Sequence, residues 1–353
     1  MQRILSGIRP TGGIHLGNYL GSLKQWAELS HEADADCFFM IADYHALLSF
    51  RDTPLHQASL DLLAWQLASG LDPARVTLFL QSAVSAHTEL NWIFNALVTV
   101  PELGRMTQYK DLLAQGTETA NAALFTYPVL QAADILLYKA DIVPVGEDQV
   151  QHIELTRVIA RRFNSQFAIE LFPEPKPRLT ESARIMSLHD PEKKMSKSLP
   201  QGALLLEDNE ATLRAKIMRA VTDTGGTTVE IPEDLMPQEV FSPEEQALLF
   251  QHMSPGVRNL FIILKEVGSD RQMFDTLLHN FRHKTLRYSD LKHEVANTVV
   301  EFIGPLQERY REVRADETKL KAILETGSAQ AATVAHTTLR EAKSAAHILN
   351  LGQ

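Results

Sequence analysis

The chain has 353 residues, 44% hydrophobic and 22% charged, with a formal net charge of −10 and one cysteine. That length holds two domains and a sizeable core, and the balance is ordinary for a soluble globular protein, which excludes disorder and a surface uniformly attractive to nucleic acid. Lone Cys37 excludes a disulfide framework and cysteine-held metal, and no apolar run reaches the roughly 20 residues of a membrane span, so a cytoplasmic protein with no membrane or DNA partner is expected.

The first element, Arg3-Ile4-Leu5-Ser6, reads as a strand buried on both faces, and it runs into the glycine-rich stretch Ser6 to Tyr19 that opens a helix over 15–30. Backbone N–H groups at such a helix start favour anions, and Gly17 lets a flat ring approach the backbone. His15 and Asn18 lie one helical turn apart and can reach one ligand. A second strand, Cys37 to Ala42, places Cys37 as a buried structural thiol. A helix over 54–70, a strand over Val76–Leu80 and a helix over 87–98 follow, the last carrying Trp92, Ile93, Phe94 and Leu97 as core or as a subunit surface.

Tyr127 to Asp134 reads as a helix start with proline in its first turn, and residues 127, 131 and 134 fall on one face at i, i+4 and i+7. A buried carboxylate without a partner is expensive, so Asp134 either pairs with a structural cation or receives a donor from a ligand. A fourth strand, Ile142–Val145, leads through Gly146-Glu147-Asp148-Gln149 into a helix over Gln151–Arg162, placing acceptors where a ribose or an ammonium could bind. Acidic residues there are also good dipole partners for the helix.

Residues 151–200 carry nine Lys/Arg against six Asp/Glu, and the basic character gathers at Lys194-Met195-Ser196-Lys197-Ser198. Two ammonium charges and two hydroxyls on a short loop can follow charge developing on a pyrophosphate leaving group. Beyond Pro200 the strand-like runs stop and helical periodicity takes over, at 209–220, 256–266, 285–313 and 330–349. Gly225-Gly226 and 232–246 read as surface connections. The expected fold is α/β, a doubly wound parallel sheet over 1–200 with a helical insertion near 85–125, followed by an all-α domain over 201–353.

His15-Leu16-Gly17-Asn18 and Lys194 to Ser198 resemble the two motifs of class I aminoacyl-tRNA synthetases, the first with its final His replaced by Asn. Five further stretches, Ser6 to Gly12, Ile41 to His45, Tyr127 to Leu137, Val143 to Gln149 and Ala183 to Ser187, resemble the bacterial tryptophan-specific branch of that family. The resemblance implies a Rossmann-like catalytic domain and a helical anticodon-binding domain. It implies activation of L-tryptophan by ATP, magnesium carried on the nucleotide, and transfer to tRNA(Trp) by a homodimer.

On that resemblance His15 and Asn18 serve the phosphates and ribose, Gly17 underlies the adenine, and Lys194, Ser196 and Lys197 follow the departing pyrophosphate. Arg9, Met195 and Ser198 complete the nucleotide contacts with Gly146, Glu147, Asp148 and Ile185. Asp134 accepts the indole N–H, Gln149 and Tyr127 handle the ammonium group, and His45, Gln131, Ser6 and Gly7 line the amino-acid pocket. Arg9 stands where Gln is usual and Gln131 where Met is usual. Gln131 beside Asp134 also suits a phenol, which keeps a tyrosine-specific enzyme open. A non-catalytic relative, or a nucleotidyl-transferring enzyme without tRNA, is open too, although both motifs are intact.

Overall fold

The computed structural model describes residues 2–48, 54–107, 109–110, 121–179, 184–197, 199–222 and 241–349. Ser198, Ala183, the Gly225-Gly226 connection, residues 232–240 and part of the expected insertion lie outside the described residues. Packing divides the chain into two compact units, one of residues 1–12, 25–180 and 312–353, the other of 13–24 and 181–311. This division follows contact density and does not coincide with the functional boundary expected at 200.

The first unit is built on a parallel sheet of five strands in the order β3-β2-β1-β4-β5. They span Gln2–Ile8 (β1), Ala35–Ile41 (β2), Thr77–Leu80 (β3), Ile142–Val145 (β4) and Lys176–Leu179 (β5). The first four are the apolar runs of the sequence. β5 was not expected, because Lys176, Pro177 and Arg178 are exposed or half-buried at the sheet edge, where charge and proline discourage further pairing. Chain order reverses between β1 and β4, so the crevice beyond their carboxyl ends is where a doubly wound sheet binds ligands.

Helices Leu55–Ala68 (α1), Ala86–Asn95 (α2), Ala122–Leu137 (α3) and Val150–Gln166 (α4) surround the sheet. Trp26 stacks on Phe39 with centroids 4.5 Å apart, and Phe94 is fully buried against Phe163 and Phe172. Cys37 is buried as expected, and burial pushes its thiol up to about 11, with Asp36 and Glu32 adding to the rise. α3 begins five residues before the expected start. The Asn121 side chain caps it by accepting the Leu124 N–H at 2.8 Å, and Pro128 sits inside the helix rather than in its first turn. The small-residue helix Glu317–Ala345 also belongs here. Its Ala331, Ala335, Leu339 and Ala342 join this unit's core. A Cβ on Gly327 would lie 1.9 Å from the Leu78 carbonyl oxygen, so only glycine permits this helix to lie against β3.

The second unit is helical. Glu210–Met218, Pro243–Gln251, Pro255–Val267, Arg271–Arg282 and the larger part of Tyr288–Arg314 form it. The helix at 243–251 falls partly within a stretch expected to be connection. Ser242 and Glu245 form a capping box around Pro243 at the first helical position, and this reciprocal satisfaction of N–H groups starts a helix despite the Pro/Glu composition. Residues 13–24 join this unit through Leu16 N–H to Leu204 O at 2.8 Å and Leu206 N–H to Ile14 O at 2.7 Å.

Candidate active site

The predicted residues fall into two clusters, one in each unit. In the first, Ser6 and Gly7 end β1 with Arg9 just beyond it, while Gly146, Glu147, Asp148 and Gln149 follow β4, the two strands flanking the chain-order reversal. Ser6 Oγ donates to the Pro144 carbonyl at 3.3 Å, tying the strand ends together. Gln149 Nε2 donates to Asp148 Oδ2 at 2.8 Å.

Asp134, on the face of α3 that also bears Tyr127 and half-buried Gln131, is 2% exposed. Among the described residues it meets no lysine or arginine. Its Oδ1 accepts from His87 Nδ1 at 2.6 Å and Gln81 Nε2 at 2.9 Å, and its Oδ2 from His45 Nε2 at 2.7 Å and Gln81 Nε2 at 3.0 Å. Burial opposes the charge on this carboxylate, but the hydrogen bonds and positions of His45 and His87 hold it well below the usual carboxylate range. It is an ionised acceptor at neutral pH. Gln81 is itself fixed, since its Oε1 accepts the Tyr44 N–H at 3.1 Å beside the short helical turn Asp43–Ala46 that carries His45.

Tyr127 and His152 share a hydrogen bond of 2.7 Å between Oη and Nε2. Burial raises the Tyr127 phenol to about 12, Arg9 acting downward and Asp148 upward. Burial lowers His152 to about 4, opposed by Asp148 and assisted by His45. His152 is therefore neutral at pH 7, and its Nδ1 is buried with no hydrogen-bond partner among the described residues.

In the second cluster His15 caps the turn Leu16–Asn18, its Nδ1 accepting the Asn18 N–H at 3.1 Å. Burial lowers His15 to about 4, and Lys197 and Lys194 add to the shift. The two predicted motifs therefore share a local field. A Cβ on Gly17 would lie 3.2 Å from the His15 ring and 3.6 Å from Ile185 Cβ, so glycine leaves room between these two side chains. Asn18 Oδ1 is buried without a hydrogen-bond partner among the described residues. An orphaned acceptor of this kind costs about 1–3 kcal/mol and invites a ligand hydroxyl. Tyr19–Leu23 continues as a π-turn, a form common beside functional sites.

The basic loop is held at its base. Ser187 N–H donates to Lys193 O at 2.8 Å and Met195 N–H to Ile185 O at 3.1 Å, while Met195 is buried and Lys194 exposed. Asn259 then grips Met186 from both sides, accepting its N–H at 2.8 Å and donating to its carbonyl at 2.9 Å. Gln81, His87, Tyr138, His152 and Asn259 were not among the predicted residues. Only Gln81 carried a signal, its place just beyond the carboxyl end of β3.

A family model described as tRNA synthetases class I (W and Y) matches residues 1–304. A tryptophan–tRNA ligase of Caldanaerobacter subterraneus subsp. tengcongensis is 41% identical over 347 residues, covering 97% of each chain. Among solved structures, the tryptophanyl-tRNA synthetase of Mycoplasma pneumoniae is 32% identical with a TM-score of 0.81, covering 99% of this chain and 98% of its own. That of Campylobacter jejuni, complexed with ADP and tryptophan, is 32% identical with a TM-score of 0.77, covering 98% and 100%.

Proposed function

Because the chain belongs to the W and Y class I tRNA synthetases, we propose how its residues share one reaction, that of a tryptophan–tRNA ligase. The enzyme joins L-tryptophan to ATP as tryptophanyl-adenylate, releases pyrophosphate, and transfers the tryptophan to the 3′ end of its cognate tRNA. The observation that carries this reading is whole-length similarity to a ligase of that name.

In the first step a carboxylate oxygen of tryptophan forms a bond to the α-phosphorus while the bond to the β-phosphate oxygen breaks. The protein supplies no nucleophile; it aligns the reactants and stabilises charge. His15, neutral and with Nδ1 engaged, carries its proton on Nε2 and donates it in a hydrogen bond to phosphate oxygen. Lys194 and Lys197 supply the positive charge and Ser196 a hydroxyl. Asn18 Oδ1 accepts from a ribose hydroxyl, and Gly17 and Ile185 border the adenine.

Indole N–H is a donor only and the Asp134 carboxylate an acceptor only, so substrates lacking the donor leave a buried charge underpaired. Tyr127 and Gln149 serve the ammonium group, with His45, Gln131, Ser6 and Gly7 around the side chain and Arg9, Gly146, Glu147 and Asp148 toward the nucleotide. Magnesium would neutralise phosphate charge. Among the described residues no group of three or more His, Cys, Asp or Glu side chains could hold a metal, so the nucleotide would supply its anionic ligands.

The proposal extends to a cytoplasmic homodimer whose residues 1–200 catalyse and 201–353 receive the anticodon. No helix among the described residues is long and apolar enough to cross a membrane, and Trp92 is 79% exposed, as an apolar subunit contact requires. Pyrophosphate exchange with tryptophan and tyrosine separately, followed by charging of purified tRNA, tests the function. Exchange with tyrosine and none with tryptophan overturns the substrate, and adenylate without charging overturns the tRNA step.

A further inference from the structure

Four donor contacts fill the Asp134 carboxylate, about as many as its lone pairs accept. An incoming N–H must therefore displace one of them, and the partners differ in how easily they give way. Gln81 is anchored at its far end by the Tyr44 N–H, and His87 by Tyr138 Oη at 2.9 Å from its Nε2. Both His87 and Gln81 are fully buried. The His45 ring has Asp134 as its only hydrogen-bond partner among the described residues, and its side chain keeps 10% exposure.

The ionised Asp134 sets the direction of the hydrogen bonds in this group, and the Tyr138 phenol completes them. Burial and Asp134 raise it well above its ordinary value, so it stays an O–H. The ionised Asp134 obliges His87 to present N–H at Nδ1, and in that Nδ1–H tautomer the ring's Nε2 accepts from Tyr138. The order runs Tyr138 O–H to His87, His87 N–H to Asp134, each bond polarising the next.

We propose that Tyr138, His87 and Gln81 are positioning residues that hold Asp134 as an oriented acceptor, and that tryptophan binds by exchanging its indole N–H for the His45 contact. This rests on the reading of Asp134 as the indole acceptor. Recognition is then decided by three side chains that do not touch the substrate. Loss of the far anchor frees the His87 ring to turn and loosens the Nδ1–H contact that orients Asp134.

The test is substrate discrimination in pyrophosphate exchange, measured as the KM for tryptophan against the Ki of β-(3-benzothienyl)alanine, an isostere with sulfur in place of N–H. Tyr138→Phe is expected to narrow that ratio by about tenfold and leave the KM for ATP unchanged. A merely structural role would lower activity toward all substrates without moving the ratio. His87→Gln makes the same comparison should Tyr138→Phe not fold, and is expected to narrow the ratio likewise. An unchanged ratio in a folded variant overturns the proposal. Asp134→Ala separates the two levels. If it keeps the wild-type ratio, the indole reading itself fails; if it abolishes discrimination while Tyr138→Phe does not, only the positioning role fails.

Discussion

The imidazole of His15 accepts the backbone N–H of Asn18 at Nδ1, 3.1 Å away, while Lys197 and Lys194 help burial to keep the ring uncharged. Together these fix the tautomer, with the proton on Nε2. The ring is a neutral donor beside two cations, so hydrogen bonding and charge come from different residues. Replacing His15 with Ala removes the donor and the cap together. Adenylate formation is expected to fall about 10²–10³-fold, with tryptophan affinity by fluorescence titration unchanged. Equal rates in pyrophosphate exchange would remove His15 from the reaction.

Two buried histidines make stability depend on acid. His15 and His152 both lie near 4 in the folded chain, against the ordinary histidine value of 6.5, and burial is the first cause in each. Between about pH 4 and 6.5 the unfolded chain binds more protons, so stability rises with pH in this window, is fully present above 6.5, and is lost toward 4. The ceiling is about 3 kcal/mol for each histidine. Urea unfolding at pH 7 and pH 5 should show the difference, and His15→Asn should reduce it. An identical pH dependence in that variant would mean His15 titrates normally.

Lys197→Ala should separate binding from chemistry. Its charge matters most as pyrophosphate departs, so the loss belongs to kcat rather than to the KM for tryptophan. A fall of about 10²-fold or more in adenylate formation is expected, with Lys197→Arg recovering only part, because a planar fork does not reproduce a compact ammonium. Rapid-quench measurement of a single turnover reads the step directly; a change confined to tryptophan KM would contradict the assignment.

The legible parts of this protein are those written contiguously. Four strands appeared as apolar runs because each is buried on both faces, whereas β5 with Lys176, Pro177 and Arg178 has the composition of a loop and pairs only because β4 offers it an edge. The two motifs at 15–18 and 194–198 were readable for the same reason, as was Asp134 from its helical spacing. The groups that hold Asp134 were not. Gln81 and His87 stand 53 and 47 residues away from it in sequence and meet it only once the end of β3 and helix α2 have packed against α3. A lone histidine on a helix gives no sign of that partnership. The reach of the terminal helix into the first unit's core was hidden likewise, since Gly327 acquires its meaning only from the Leu78 carbonyl it approaches.

Asn259 offers the last prediction, because it links the helix Pro255–Val267 to the basic loop by one residue. Both polar ends of its side chain bond to Met186, accepting at 2.8 Å and donating at 2.9 Å, and Met186 pairs in turn with Lys194 as an isolated antiparallel bridge. Asn259 is 2% exposed, so water does not readily replace what it supplies. Asn259→Ala leaves the Met186 N–H and carbonyl short of partners, at a cost of about 1–3 kcal/mol for each group left unsatisfied. That cost falls where the loop must hold its lysines in register. Adenylate formation is expected to slow about tenfold, since small displacements of charged groups are felt strongly in the transition state. The KM for tryptophan should stay constant. Asn259→Asp keeps an acceptor for the Met186 N–H but loses the donor, and should fall between Ala and wild type. If both variants lose tryptophan binding and activity in parallel, Asn259 supports the fold at large and not the loop.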